Sequence, residues 1–289
     1  MIDLHMHSTC SDGKDSIEQL IENVKNTGIS HFSITDHDTA KACREVLSSQ
    51  ELKDKIKAAG LNFVVGCEFS CIYGKQEMHI LAYDFDPFAP EVVELEEKFS
   101  ALLEEKDKFR MKYVEEHYTL SQESYDYLAS KENVRKLDFA NCLVNDGYFT
   151  GVDDACQKFL NHGKYQGVDR LDAIEVLTKM SGIGAKMVWA HSLHGLNEKA
   201  TSHEDVERIA GELKQYGLAG LECYYSLYNK EEIDDLVKIA DRLGFVVTSG
   251  SDYHGKNKDV ALAQFSIDGS PANFDRVSVD EIFKNYVVR

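Results

Sequence analysis

The sequence predicts a mixed α/β fold: a barrel-like arrangement interrupted once by a helical insertion. Three observations carry this expectation. Short β-like runs alternate with amphipathic helical runs over most of the chain. One stretch, roughly residues 91–165, holds helical patterns and no convincing strand. Ionisable residues also collect at the ends of the β-like runs, where strand-and-helix barrels place their chemistry.

"MIDLH" opens as a strand. "DSIEQLIENVKNTG" reads as a helix, with Ile17, Leu20, Ile21 and Val24 on one face. Ser16 and Gln19 have the capping-box spacing, and Gly28 stands past the end. "HFSITDH" is the second strand, followed by a helical stretch from about residue 39 to 58. "NFVVGCEFS" and "EMHILAYDF" are the next strand-like runs. "DPFAP" then leads into the insertion, where Leu95, Phe99, Leu102, Phe109 and Tyr113 keep helical spacing. "AKMVWAHS", "LAGLECYY" and "FVVTSGSD" bring the strand-like runs to seven. Helices near 202–215 and 230–243 separate them, the second opened by Asn229 and Glu232 at N-cap spacing. The expected organisation is a barrel domain from 1–90 and 166–289 with a helical domain at 91–165. Such an insertion follows a strand end, where lids over active sites are placed.

At 289 residues and 43 % apolar content, the chain can build one large domain or one domain with an insertion. No apolar run approaches the ~20 residues that cross a bilayer, and the N-terminus lacks the basic and apolar regions of a signal peptide. The seven cysteines form an odd count without framework spacing, which reads as free thiols in a cytoplasmic protein. The formal charge of −18 disfavours long duplex nucleic acid and anionic membrane as partners. A small phosphorylated substrate stays open, because bound divalent ions reverse the field inside a pocket. No P-loop is present, which argues against a nucleotide-driven motor or kinase.

Of 11 histidines, six lie at or beside strand-like runs and next to carboxylates. In "MIDLHMH" a period of two puts His5 and His7 on one face. Asp12 follows in a loop. His37 ends "HFSITDH", His191 ends "VWAHS", and Asp252 and His254 end the last run. "CIYGKQE" is too short for a helical crossover, so Glu68 and His79 belong to a hairpin. A turn centred at Tyr73–Gly74 would set these two residues opposite each other. The set is His5, His7, Asp12, His37, Glu68, His79, His191, Asp252 and His254. Any one of these histidines alone reads as an ordinary polar residue. Together, six imidazoles and three carboxylates exceed the needs of one metal and suit two or three divalent ions sharing a bridging carboxylate. Manganese, iron and zinc fit such donors alike.

The motifs "HMHSTCSDG", "TDHDT", "GCEFS", "MHILAY", "WAHS" and "GSDYHG" resemble, in order, those of the PHP (polymerase and histidinol phosphatase) family of metal-dependent phosphoesterases. The likeness covers about residues 1–85 and 180–257. The insertion is similar to that of the branch acting on nucleoside 3′,5′-bisphosphates and on the 5′ ends of short RNA. The resemblance implies a distorted (β/α)7 TIM-like barrel with three metal sites. It implies that His5, His7, Glu68 and Asp252 hold one ion, that Glu68 bridges to a second ion on His79 and His191, and that Asp12, His37 and His254 hold a third. There are departures. Ser192 follows His191 where the family usually has proline. In "VRKLDFAN", Asp138 stands where a histidine of an Arg-x-His motif is expected.

The implied reaction is hydrolysis of a phosphate monoester of a small nucleotide, by a water shared between ions that loses its proton near neutral pH. Asp12, Glu68 and His191 are the expected catalytic positions. His194 is either an acid for the leaving group or a surface histidine. Arg135 or Lys136, and Lys164, are candidate phosphate contacts, and Arg44 is a weaker one. Cys67 and Cys71 flank Glu68 and read as buried small residues. Tyr224 and Tyr225 either stack a base or pack. The alternatives are a histidinol-phosphate phosphatase, a non-catalytic metal-binding module and an amidohydrolase-type enzyme.

Overall fold

In the computed structural model, which describes residues 1–131, 134, 136–194 and 201–289, the strands are β1 (Ile2–Asp3), β2 (His31–Phe32), β3 (Asn62–Val64), β4 (Gly66–Tyr73), β5 (Gln76–Tyr83), β6 (Leu171–Asp172), β7 (Lys186–Trp189), β8 (Leu218–Tyr225), β9 (Val246–Gly250) and β10 (Val287–Val288). The helices are α1 (Ile17–Lys25), α2 (Lys41–Ser48), α3 (Gln50–Ala58), α4 (Pro90–Glu115), α5 (Gln122–Ala129), α6 (Lys136–Asn145), α7 (Val152–Ala155), α8 (Ala173–Gly182), α9 (His203–Leu213), α10 (Lys230–Leu243) and α11 (Val279–Ile282). The fold is mixed α/β. It divides into one unit of Met1–Glu96 with Arg170–Arg289 and a second unit of Glu97–Asp169.

The strands of the first unit form two sheets, ordered β1-β2-β3-β10 and β6-β4-β5-β7-β8-β9. β1, β2 and β3 are parallel, as are β7, β8 and β9, while β4–β5 is an antiparallel hairpin. The helices between parallel strands have the amphipathic faces that such crossovers need. α1 buries Ile17, Leu20, Ile21 and Val24, and Ser16 and Gln19 complete its capping box. α10 buries Ile233, Leu236, Ile239 and Ala240 behind the Asn229–Glu232 box.

The structure departs from the sequence expectation in five places. Residues 39–58 are not one helix. Ser49 turns to ψ 114° and its hydroxyl accepts from the Leu52 amide at 3.3 Å, so it ends α2 and caps α3. "NFVVGCEFS" splits between the sheets at Val65, which donates to Tyr286 O and accepts from the Asp84 amide instead of continuing one ladder. The hairpin turn is Gly74–Lys75, one residue later than expected, with Gly74 at φ 62° as the first turn position. Glu68 therefore pairs with Leu81, and His79 with Ser70. β6, α8 and β10 were not anticipated; the two strands span two residues each, too few to show a period. Finally, β1 and β2 are regular for two residues each, because their continuations change partners.

Those continuations lead to the site. Beyond β1, the Leu4 amide donates to Ser249 O and the His7 amide to Tyr253 O, both at 2.9 Å. Beyond β2, the Glu68 amide donates to Asp36 O at 3.2 Å and the Asp38 amide to Glu68 O at 2.8 Å. The first sheet is thus laced to β9 on one side and to β4 on the other.

The second unit is helical. Its core holds Val114, Leu120, Leu128, Phe139, Leu143, Phe159 and Leu160. Tyr113 stacks on Phe159 with centroids 4.6 Å apart. α4 begins at Pro90, a residue whose fixed φ suits the first helical position. No described helix is long and apolar enough to cross a membrane.

Candidate metal centre

The first chain segment supplies two imidazoles because its alternation is strict. Leu4 and Met6 are fully buried on one side, while Asp3, His5 and His7 face the other. Asp3 stays an anchor: Oδ1 accepts from the Ser251 amide at 2.9 Å and Oδ2 from the Ala263 amide at 3.0 Å. Gly250 lets β9 approach, since a Cβ there would lie 2.2 Å from His5 Cβ and 2.4 Å from Glu222 Oε1.

Glu68 is the centre of the arrangement. It is fully buried, and its two oxygens face different imidazoles. Oε2 lies 3.1 Å from His5 Nε2, from His7 Nε2 and from His37 Nδ1. Oε1 lies 3.0 Å from His79 Nδ1 and 3.1 Å from His191 Nε2, and these two nitrogens are 3.3 Å apart. His79 reaches Glu68 as a diagonal neighbour across the hairpin, since Glu68, Ser70, His79 and Leu81 share one face. The one-residue change in the turn keeps the face and alters only the direct partner.

The remaining carboxylates sit to either side. Asp252 Oδ1 lies 3.3 Å from His7 Nε2, 3.5 Å from His5 Nε2 and 3.3 Å from His254 Nδ1. Asp12 is half-buried, with Oδ1 3.2 Å from His254 Nε2, 3.7 Å from His7 Nδ1 and 3.9 Å from His37 Nε2. Three sets of donor atoms, each within 4.8 Å of one another, follow: His5, His7, Glu68 and Asp252; His7, Asp12, His37 and His254; His37, Glu68 and His79. These sets hold eight of the nine residues singled out in the sequence, and His191 joins them through Glu68 Oε1, 3.1 Å from its Nε2. The grouping differs from the one the resemblance implies. His37 faces both Glu68 and Asp12, one ring nitrogen to each, and His7 joins the outer set.

The donor set fits divalent ions. His5 Nε2, His7 Nε2, His37 Nδ1 and Glu68 Oε2 are buried, converge on one point and have no hydrogen-bond partner among the described residues. Orphaned polar atoms of this kind are costly unless a cation satisfies them. Imidazole nitrogen with carboxylate oxygen suits first-row divalent metals. The charge distribution agrees. Burial pushes the Glu68 carboxyl up, yet His5, His79 and His37 hold it well below the ordinary range. Burial pushes His7 down, and the Asp252 and Glu68 carboxylates close to its ring raise it to about 9. The site attracts positive charge.

Glu222, Asp36 and Lys258 escaped the sequence reading, and Tyr225 entered it only as a residue that stacks a base or packs. Glu222 is fully buried in β8; its Oε1 pairs with His5 Nδ1 at 2.9 Å and its Oε2 accepts from the His191 amide at 2.9 Å. It thus orients two ring-bearing residues at once, as carboxylates behind metal-binding histidines do. Asp36 accepts from the Ser8 amide at 2.8 Å and from the Ser8 and Ser11 hydroxyls at 2.6 Å, tying down the loop that carries Asp12. A β-bulge between Glu222 and Tyr224 breaks the alternation, so Tyr225 turns to the site as Glu222 does. The Tyr225 hydroxyl donates to Asp252 Oδ2 at 3.2 Å, and Lys258 Nζ pairs with the same oxygen. His191 and Asp252 both hold positive φ, 30° and 57°, and each is pinned by its amide: His191 to Glu222, Asp252 to His5 O at 2.8 Å. Glu222 left a faint signal, a lone carboxylate in the apolar run "LAGLECYY".

The secondary candidates fare unevenly. His194 borders the pocket with Tyr225 and Tyr228, its Nε2 3.8 Å from Glu232 Oε1, and burial lowers its pKa. Arg44 is not a phosphate contact here; it holds Glu96 Oε1 at 2.9 Å and Pro87 O at 3.0 Å. Cys67 and Cys71 are fully buried, and burial pushes both thiols well above their usual range. Arg135 lies outside the described residues. Lys136 and Lys164 are exposed in the helical unit, where Lys136 donates to Asn161 Oδ1 at 3.0 Å. Asp138 accepts from the Tyr127 hydroxyl at 2.8 Å.

The PHP domain model matches residues 3–181. A 5′-3′ exoribonuclease of Haemophilus influenzae is 26% identical over 271 residues, 89% of this chain and 94% of that protein. A phosphoribosyl 1,2-cyclic phosphate 1,2-diphosphodiesterase of Eggerthella lenta is 26% identical over 268 residues, 88% of this chain and 94% of that one. A 3′,5′-nucleoside bisphosphate phosphatase of Chromobacterium violaceum is 24% identical over 267 residues, covering 88% and 87%. The crystal structure of a protein described as a metal-dependent phosphoesterase from Bifidobacterium adolescentis shares the fold, with a TM-score of 0.74, 23% identity and coverage of 97% and 94%.

Proposed function

This chain belongs to the PHP domain family and is a metal-dependent phosphoric ester hydrolase, and on that premise we propose that its substrates are phosphate monoesters of small nucleotides. Nucleoside 3′,5′-bisphosphates and nucleoside monophosphates are the leading substrates, with 5′ ends of short oligonucleotides as an extension. The observation that carries the reading is Glu68, a buried carboxylate whose two oxygens face two separate sets of imidazoles. That division suits two or three divalent ions, manganese, iron or zinc, sharing one bridging ligand. The names of two relatives support nucleotide chemistry.

Metal bound there would offset phosphoryl charge and bring a water's pKa to about 7. The chain's own residues do the rest. Glu222 and Asp36 fix His5, His191 and the Asp12 loop, so the donors are arranged before substrate arrives. Asp12, with its side chain 32% exposed, stands at the mouth and orients the attacking water. His194, at the pocket edge, is the group proposed to meet the leaving oxygen. The backbone bonds joining β1 to β9 and β2 to β4 support a distorted (β/α)7 TIM-like barrel around this centre. Residues 91–165 are proposed to form the insertion domain, with Arg135 or Lys136, and Lys164, as candidate phosphate contacts.

A panel of manganese-loaded reactions tests the proposal. Phosphate release from nucleoside 3′,5′-bisphosphate and nucleoside monophosphate is expected. Turnover of histidinol phosphate or of phosphoribosyl 1,2-cyclic phosphate, with none of any nucleotide, would overturn it. The cyclic ester belongs in the panel because the Eggerthella lenta protein is as similar as the exoribonuclease.

A further inference from the structure

We infer that Lys258 contacts the substrate phosphoryl group, in addition to bracing Asp252. This rests on the phosphoesterase reading above. A pocket of about 490 Å³ opens over the cluster, and Lys258 is the one lysine or arginine among the described residues that line it. Its neighbours there include Asp12 and Asp252, so a phosphate dianion would otherwise meet carboxylates. A lysine ammonium has three hydrogens to donate. One goes to Asp252 Oδ2 and one to the Tyr225 hydroxyl at 3.1 Å. The Lys258 side chain is 28% exposed against 8% for that of Asp252, and Tyr225 is buried, so of the three groups the ammonium is the one with donor capacity left for a ligand in the pocket. The Tyr225 ring, 5.3 Å from Nζ, holds the ammonium from a second side.

The arrangement gives Asp252 a division of labour. Oδ1 faces His5, His7 and His254, and Oδ2 is held by Lys258 and Tyr225. A swing of the carboxylate would break its contacts with both the ammonium and the Tyr225 hydroxyl. Lys258 is therefore a fixed point charge placed beside the donor cluster before substrate binds. Compact ammonium groups bind phosphate in this way, as charges rather than as planar forks.

The test uses the full chain loaded with manganese. Three quantities are measured for the wild type, Lys258→Met and Lys258→Arg: bound metal per chain, affinity for inorganic phosphate by calorimetry, and KM and kcat for a nucleoside monophosphate. Lys258→Met should keep its metal, lose roughly tenfold or more in phosphate affinity, and raise KM more than it lowers kcat. Lys258→Arg should recover most of the affinity. Unchanged phosphate affinity in Lys258→Met would overturn the inference. So would loss of metal and of phosphate affinity together, because Lys258 would then only brace Asp252, and so would a wild type that binds no phosphate. Lysine-dependent phosphate binding without any nucleotide hydrolysis would sink the proposed substrate class and leave this inference standing.

Discussion

In the helical unit Glu97–Asp169, Ser124 is the one buried polar residue among those described, and the interior is built from Val114, Leu128, Phe139, Leu143 and Phe159. In the unit formed by Met1–Glu96 and Arg170–Arg289, by contrast, His5, His7, Glu68, Glu222 and Asp252 are buried within a few ångströms of one another. The first interior is stabilised by removal of apolar surface from water and needs nothing else. The second takes several ionisable groups out of water, which costs several kcal/mol per ion unless partners offset it. The difference locates the chemistry. The second interior carries a donor set able to bind cations, and the first is complete without them.

Substitutions can break that contrast, and the largest effect should come from its centre. Glu68→Gln should remove metal from the protein and lower kcat/KM by about 10³-fold or more, roughly 4 kcal/mol of transition-state stabilisation. Metal analysis beside steady-state kinetics checks both halves. In the helical unit, Leu143→Ala should instead cost about 2–5 kcal/mol of stability, seen as an earlier unfolding transition, with metal content unchanged. If Leu143→Ala stripped the metal, the two interiors would not be separable in this way.

Smaller effects sharpen the boundary. Glu222→Gln keeps the shape of the side chain but loses the charge behind His5, so metal affinity should fall about 10- to 100-fold, measured by chelator competition. Taken per pH unit, proton linkage gives the smallest effect. His7 is raised to about 9 in the metal-free protein, by Asp252 and Glu68 acting against burial. Below that pH its proton must leave when metal binds, so affinity should rise with pH, by up to about tenfold per unit, and level off above about 9. Calorimetry in buffers of different ionisation heat should show the released proton. Uptake independent of pH from 6 to about 9 would mean that His7 does not ligate.

Much of this was legible before any coordinates. Period-two alternation in "MIDLHMH" is a local property, and it placed His5 and His7 on one face without knowledge of their partners. The hairpin brought Glu68 and His79 together although its turn is Gly74–Lys75, because a two-residue change in pairing preserves the face. What local pattern could not show depends on distant contacts. Glu222 meets His5 across 217 residues of sequence, and the bulge that turns Tyr225 inward is set by the pairing of β8 with β9. Lys258 looks like any surface lysine until Asp252 is seen beside it. The break at Ser49 was hidden because both flanking segments are helical, and only the backbone at that residue differs.

Glu68 is the residue proposed to bridge bound metal. Anomalous diffraction at the manganese edge, on crystals of the metal-loaded protein, tests it most directly. Separate peaks are expected on the two sides of the Glu68 carboxylate, one within coordination distance of His5 and His7 and another within that distance of His79 and His191. An active, metal-loaded crystal with no ion touching Glu68 would contradict it.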